Sequence, residues 1–250
     1  MAQSVIDAGR RVLPRGYADF GRQLAIWFGF YVAYQIVRGT ADRDAGFAFE
    51  NGLKIIDIER RLGTLFELSL QGFLTSSQLL IELTSWTYWL SQFAVLGIAL
   101  LWVYLRRTES FTPFRNTILL ANAIGLIGYF ALPTAPPRMF PHFGFVDTLA
   151  AFSSVNHESA AIQFSANPYA AMPSLHAADA LIVGVAMALI VRRTWAKALW
   201  LAWPAWVSFT VMATANHFWL DIAAGVVVAA IAAAVVLGRP LGARLRLRAA

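Results

Sequence analysis

The sequence predicts an all-α integral membrane protein: a bundle of six transmembrane helices, with an additional interfacial amphipathic helix region between helices one and two. Three observations lead there. Of the 250 residues, 58% are hydrophobic and only 14% are charged, too few charges to cover a soluble domain of this length. Six windows are long enough to cross about 30 Å of hydrocarbon at about 1.5 Å per residue. The basic residues then alternate with those windows in a way that selects one orientation.

The windows lie near 22–37, 84–105, 114–132, 174–191, 196–214 and 218–238. The first is short, so its helix is expected to start before Arg22 or to tilt. It is followed by Arg38 and not by small residues, so a retained helix is expected there, not a cleaved signal peptide. Pro204 falls inside the fifth window, where neighbouring helices can tolerate a kink. One membrane domain is expected over 1–250. Its core is about 114–238, and its N-terminal helix plus extracytoplasmic amphipathic segment is about 22–83.

Six crossings put fourteen of the twenty basic residues on one side. They are Arg10, Arg11, Arg15 and Arg22, then Arg106, Arg107 and Arg115, then Arg192, Arg193 and Lys197, then Arg239, Arg244, Arg246 and Arg248. The other side holds Arg38, Arg43, Lys54, Arg60, Arg61 and Arg138 among at least as many acids. By the positive-inside rule both termini are cytoplasmic. The net charge of +6 is then a topology signal, with room for contacts to anionic lipid, and no nucleic-acid partner is expected. With no cysteine in the chain, disulfides, thiolate metal sites and a cysteine nucleophile are excluded.

Two long segments fall on the extracytoplasmic side. In the first, roughly 39–83, Ile55, Ile58, Leu62, Leu65 and Phe66 recur at helical spacing, and Gly63 is expected to break the helix in two. Either an interfacial helix on the outer leaflet or a helix capping the bundle fits this pattern. The second segment, 133–173, holds six of the ten prolines, which forbid a regular helix at either end. Long loops of this kind usually carry function.

The polar residues at the helix mouths are the candidates for chemistry, and each has a purely structural reading beside the functional one. Ser174 follows Pro173 and opens the fourth window, so it is placed to cap that helix, where free N–H groups also make an anion site. His176, near the water boundary, has a side chain suited to proton transfer. Asp179 has a packing account and a second one, holding His176. In “ATANHFWLDIAAG”, His217 and Asp221 are four residues apart, which on a helix places both on one face. A carboxylate accepting from one imidazole nitrogen leaves the other free as a nucleophile. Metal binding by this pair is also conceivable, but no cysteine or dense carboxylate cluster accompanies it. Arg138 comes to the same membrane face and can bind a phosphate bidentately, or it is a plain loop charge. His142 and His157 are loop histidines without an assigned role.

“PSLH” at 173–176, followed by “NHFWLD” at 216–221, resembles the second and third signature motifs of the type-2 phosphatidic acid phosphatase superfamily. “PTAPPRM” at 133–139 is similar to its first motif. PSLH in place of PSGH, with the long segment after the first window, is most similar to the branch of the inositol phosphorylceramide synthases, which are inositolphosphotransferases. The resemblance implies a phospho-histidine mechanism with no metal or other cofactor. His217 would be the nucleophile, Asp221 would orient it, His176 would be the general acid, and Ser174 and Arg138 would bind the phosphate. Two positions depart from the broad family pattern: Ala131 and Val211 stand where cations are expected. Asn216 or Arg38 would have to substitute, and a singly charged diester becomes an easier substrate than a dianionic monoester.

The function expected from these residues is a multi-pass cell-membrane phosphoesterase acting on lipid-linked phosphate at the extracytoplasmic face. It would be a lipid phosphatase or a phospho-alcohol transferase. Its partners would be a lipid phosphate or phospholipid substrate, the surrounding membrane lipids and, for a transferase, a polyol acceptor. The alternative is a lipid or anion transporter that uses the same anion site without chemistry.

Overall fold

The computed structural model describes residues 13–40, 44–152 and 167–238. His157, Arg43, and the arginines at 10, 11, 239, 244, 246 and 248 lie outside the described residues. The regular elements of the described chain are all helical, and its single strand-like pairing is a parallel bridge between Thr134 and Ala170.

Helix α1 spans Gly16–Thr40, beginning before Arg22 as its short apolar window required. Two shorter helices follow, α2 over Ala45–Arg61 and α3 over Glu67–Thr75. The break between them falls at Gly63, whose φ of +67° is a left-handed conformation that glycine adopts without strain. Then come α4 (Gln78–Leu90), a π-helical turn (Ser91–Val95) and α5 (Leu96–Arg106), which together form one long rod. Helix α6 is Thr108–Ala131, and two 3-10 turns at Pro137–Met139 and Pro141–Phe143 lead to the short α7, Thr148–Phe152. The chain ends in α8 (Leu175–Ile190), α9 (Thr194–Ala213) and α10 (Trp219–Leu237).

Among the described residues, three rods are long and apolar enough to cross a membrane: Gln78–Arg106, Thr108–Ala131 and Trp219–Leu237. Helix α8 is apolar but shorter, at 16 residues. Helices α1 and α9 have the length, 25 and 20 residues, but polar and tryptophan-rich stretches such as “TWAKALW” dilute their hydropathy. Phe28, Ile36, Phe93, Ile98, Ile127 and Leu189 stand exposed on the outer faces, as lipid-facing positions do.

Small residues set how closely the helices approach. A Cβ on Gly225 of α10 would meet the Ser174 carbonyl oxygen at 2.3 Å, and one on Gly184 of α8 would meet the Trp200 carbonyl of α9 at 2.6 Å. Helix α8 thus sits at the centre, packed on α9, α10 and α6. At one end of the bundle Arg15 donates to the Thr108 carbonyl at 2.8 Å, and Arg115 donates to Gln23. The motif residues gather at the other end.

Helices α2 and α3 cover that other end, with a different face inward from the one the apolar spacing implied. Ala48, Asn51, Gly52, Ile55, Ile56 and Glu59 are buried, whereas Ile58, Leu62 and Phe66 are exposed. Tertiary hydrogen bonds decide the rotation. Asn51 donates to the Pro133 carbonyl at 2.9 Å, and the Ala48 carbonyl accepts from Ala135 N at 3.0 Å. These groups satisfy loop backbone that would otherwise be buried without partners. The segment therefore packs as a cap on the bundle and still turns apolar side chains outward.

Candidate active site

Ser174 is the N-cap of α8: its φ and ψ are extended and its hydroxyl accepts from Ala177 N at 3.4 Å. It is fully buried. Because the hydroxyl accepts in the cap, its own hydrogen remains available to donate. Its backbone N donates to the Asp221 carbonyl at 2.9 Å, which joins the starts of α8 and α10.

His217 and Asp221 are neighbours, though not as two residues on one helix face. Helix α10 starts at Trp219 with Phe218 as its N-cap, so His217 lies in the turn before it. Asp221 is the third residue of the helix and folds back. Its Oδ2 accepts from Phe218 N at 2.9 Å and stands 3.5 Å from His217 Nδ1. That second distance makes an electrostatic contact that falls short of a good hydrogen bond. Both side chains are buried, and His217 Nδ1 and Asp221 Oδ1 have no hydrogen-bond partner.

The turn that delivers His217 is tight. Asn216 N and His217 N both donate to the Val211 carbonyl, at 2.9 and 3.0 Å, and Ala215 sits at φ +56°. A left-handed alanine costs about 1–2 kcal/mol. It is held by its own carbonyl, which accepts from Arg138 N at 2.9 Å. Val211 thus serves through its backbone.

Arg138 reaches the same turn through its side chain. Nη1 donates to Asn216 Oδ1 at 2.5 Å and Nε faces Asp147 at 3.5 Å. Asn216 in turn donates to the Thr214 carbonyl and hydroxyl, at 3.2 and 2.9 Å. Its amide hydrogens are therefore already occupied, so Asn216 orients Arg138 and is not a replacement phosphate donor. Ala131 is exposed at the end of α6 and supplies nothing. Arg38, at the end of α1, is the other cation in range: its guanidinium acts electrostatically on His176, and its buried Nε has no partner.

His176 lies between two rings. It stacks on Tyr88 with centroids 4.6 Å apart, and meets His217 edge-on at 5.8 Å. It also hydrogen-bonds the Tyr88 backbone, one turn before the π-helical stretch; such stretches recur at functional sites because they offset the backbone ladder. Asp179 is not part of this cluster. It accepts from Asn122 at 2.9 Å and from Gln92 of the π turn, which tie α8 to α6 and to the rod beside it. Its role is packing by hydrogen bond. His142 sits exposed in the second 3-10 turn.

Two further acids went unrecognised in the sequence. Glu59 of α2 and Glu67 of α3 are completely buried. Glu59 Oε1 accepts from Leu220 N at 3.2 Å, and Glu67 Oε1 accepts from Trp219 N at 2.8 Å. Burial, then the Glu67 carboxyl beside it, pushes the Glu59 carboxyl up to about 9; burial raises Glu67 as well. The available signal was register, since Gly52, Ile55, Ile56 and Glu59 share one helical face.

An all-helical membrane protein with two histidines, a carboxylate and an arginine gathered between two helix starts belongs to the class of helical-bundle membrane enzymes. The model of the PAP2 superfamily matches residues 53–235, and the chain belongs to that superfamily. Its members are phosphatases, which makes this chain a phosphatase-type phosphoesterase. No curated protein and no solved structure matches it.

Proposed function

We propose that the protein is a multi-pass membrane enzyme that cleaves lipid-linked phosphate at the extracytoplasmic face through a phospho-histidine intermediate, without metal. The observation that carries this is the meeting of His217, backed by Asp221, with His176 and Ser174 at the joined starts of α8 and α10. In this topology α1, the α4–α5 rod, α6, α8, α9 and α10 are six crossings with both termini cytoplasmic. The segment with α2 and α3 and the loop with Arg138 are then extracytoplasmic. The cluster of Arg15, Arg22, Arg107 and Arg115 around the opposite end supports that orientation.

Asp221 faces Nδ1, so that nitrogen carries the proton and Nε2 holds the lone pair. Nε2 forms the bond to phosphorus as the bond to the leaving oxygen breaks, and His176 gives that oxygen its proton. The Ser174 hydroxyl, the free amides of α8, Arg138 and Arg38 take up the charge on the phosphoryl oxygens. Water or an alcohol then attacks phosphorus, passes its proton to His176, and frees His217. With Ala131 and Val211 lacking charge, two arginines match a singly charged diester best. That supports the headgroup-transfer branch, where the acceptor is a polyol.

The test uses purified protein in vesicles with labelled phospholipid, a chelator, and candidate polyols present or absent. Headgroup release or exchange without divalent metal, inhibition by orthovanadate and loss of turnover in His217→Ala are expected. Lipid flux without any product would overturn the proposal in favour of a transporter, and full turnover in His217→Ala would overturn the nucleophile.

A further inference from the structure

We propose that Glu59 and Glu67 work as one acid–carboxylate pair, sharing a single proton, that caps the start of α10 from outside the helix and so positions His217. The role assigned to His217 rests on the function proposed above; the shared proton does not.

The first amides of a helix have no partner within it. In α10 these belong to Trp219 and Leu220, directly after His217 and Phe218. Neither is capped by its own segment. Glu67 Oε1 takes Trp219 N and Glu59 Oε1 takes Leu220 N, while Asp221 takes Phe218 N. Thr64, from the turn between α2 and α3, accepts from the Trp219 indole at 3.1 Å. The residues next to the nucleophile are thus held by a segment more than 150 positions earlier in the chain.

The charge state follows from what surrounds the pair. Both carboxyls are fully buried, each lies within electrostatic range of the other, and Asp221 is the third acid in range. None of the ion pairs among the described residues includes Glu59 or Glu67. The cations of α2 are engaged elsewhere: Lys54 with Glu50, Arg61 with Asp57, and Arg60 over the Phe143 ring. Three ionised carboxylates there would repel without compensation. Two neutral acids would forgo the attraction of one negative charge to a helix start. One proton between them satisfies both conditions. Glu59 Oε2 and Glu67 Oε2 are the two oxygens left without a partner, and one protonated oxygen donating to the other pairs both.

A proton held in the folded state but released on unfolding makes stability pH-dependent. The Glu59 carboxyl is raised to about 9, against about 4.3 in an unfolded chain. The native state therefore binds one more proton across that window. Stability falls as pH rises through it and levels off above the upper limit. A glutamine at either position keeps a donor and an acceptor with no proton to lose.

The full chain in detergent micelles decides the matter. Thermal midpoints from about pH 6 to about pH 9.5 are measured for wild type, Glu59→Gln, Glu67→Gln and Glu59→Ala, together with kcat and KM at neutral pH. Wild type should lose thermal stability as pH rises, and both glutamine variants should give a flatter curve. Glu59→Gln should keep kcat within about threefold, while Glu59→Ala should lose about tenfold or more in kcat at similar KM, as a displaced reacting group does. A glutamine variant whose curve runs parallel to wild type would overturn the shared proton. Wild-type kcat in Glu59→Ala, or a glutamine variant as impaired as the alanine, would overturn the positioning role. If His217→Ala retained turnover, the nucleophile assignment would fall while the difference in pH curves still stood.

Discussion

Ser174 N and the Asp221 carbonyl meet at 2.9 Å, which fixes the start of α8 against the start of α10. Two motifs more than forty residues apart in the chain are welded at one backbone bond. The weld depends on Gly225, since any side chain there meets the Ser174 carbonyl at 2.3 Å. That contact is backbone, so it cannot rotate away. Gly225→Ala should cost about 1–3 kcal/mol of stability and lower kcat by separating His217 from His176. Thermal unfolding and turnover of the same preparation would check it, and the two losses should appear together.

Asp221 has two tasks that a conservative change separates. In Asp221→Asn the side-chain oxygen can still accept from Phe218 N, so the cap survives and stability changes by less than about 1 kcal/mol. The charge that favours the Nδ1–H tautomer of His217 is lost. Turnover should fall by about 100-fold or more, measured as kcat at saturating lipid with the unfolding midpoint as control.

Much of this arrangement was legible in the sequence, and the remainder failed for definable reasons. The break at Gly63, the Ser174 cap and the approach of His217 to Asp221 each depend on local chemistry within a few residues. Spacing alone misplaced the last of these, because a residue before the helix and one in its first turn approach just as two on a helical face do. The rotation of α2 depends on a loop carbonyl at Pro133 and a loop amide at Ala135, each more than eighty residues away. Glu59 lies in the charged run “DIERR”, and only the start of α10, whose first amides its own segment leaves open, explains why it is inside. Asn216 looked like a free amide donor until Thr214 was found on both its hydrogens.

Arg138 is aimed by Asn216 and Asp147. Lysine cannot reproduce two directed contacts and still face a phosphate. Arg138→Lys should raise KM for the lipid substrate by about tenfold, with a smaller fall in kcat. Asn216→Ala should move KM the same way by a lesser amount, because the guanidinium stays but loses its aim. Steady-state kinetics with a dispersed substrate would show the order.

Tyr88 holds His176 by its ring face and by its backbone. Tyr88→Phe retains both, and activity should stay near wild type. Tyr88→Ala removes the stack and should lower kcat by about tenfold. Because a loosened His176 meets more water, the pH–rate profile of the alanine variant should also shift. A pair of profiles, one for each variant, would distinguish a lost stack from a lost hydroxyl.

The small bridge at Thr134 and Ala170 has a consequence for how this protein can change. Thr134 N donates to the Tyr169 carbonyl at 2.7 Å, and Ala171 N donates to the Thr134 carbonyl at 3.3 Å, so the long loop is pinched shut at its neck. Arg138 sits just inside that neck, anchored to Ala215, and not out along the loop. Closing a longer loop costs little once its ends are pinned. The distal stretch is therefore free to lengthen, shorten or exchange sequence without displacing the arginine. Sequence change beyond the neck therefore leaves the backbone bond from Arg138 to Ala215 where it is.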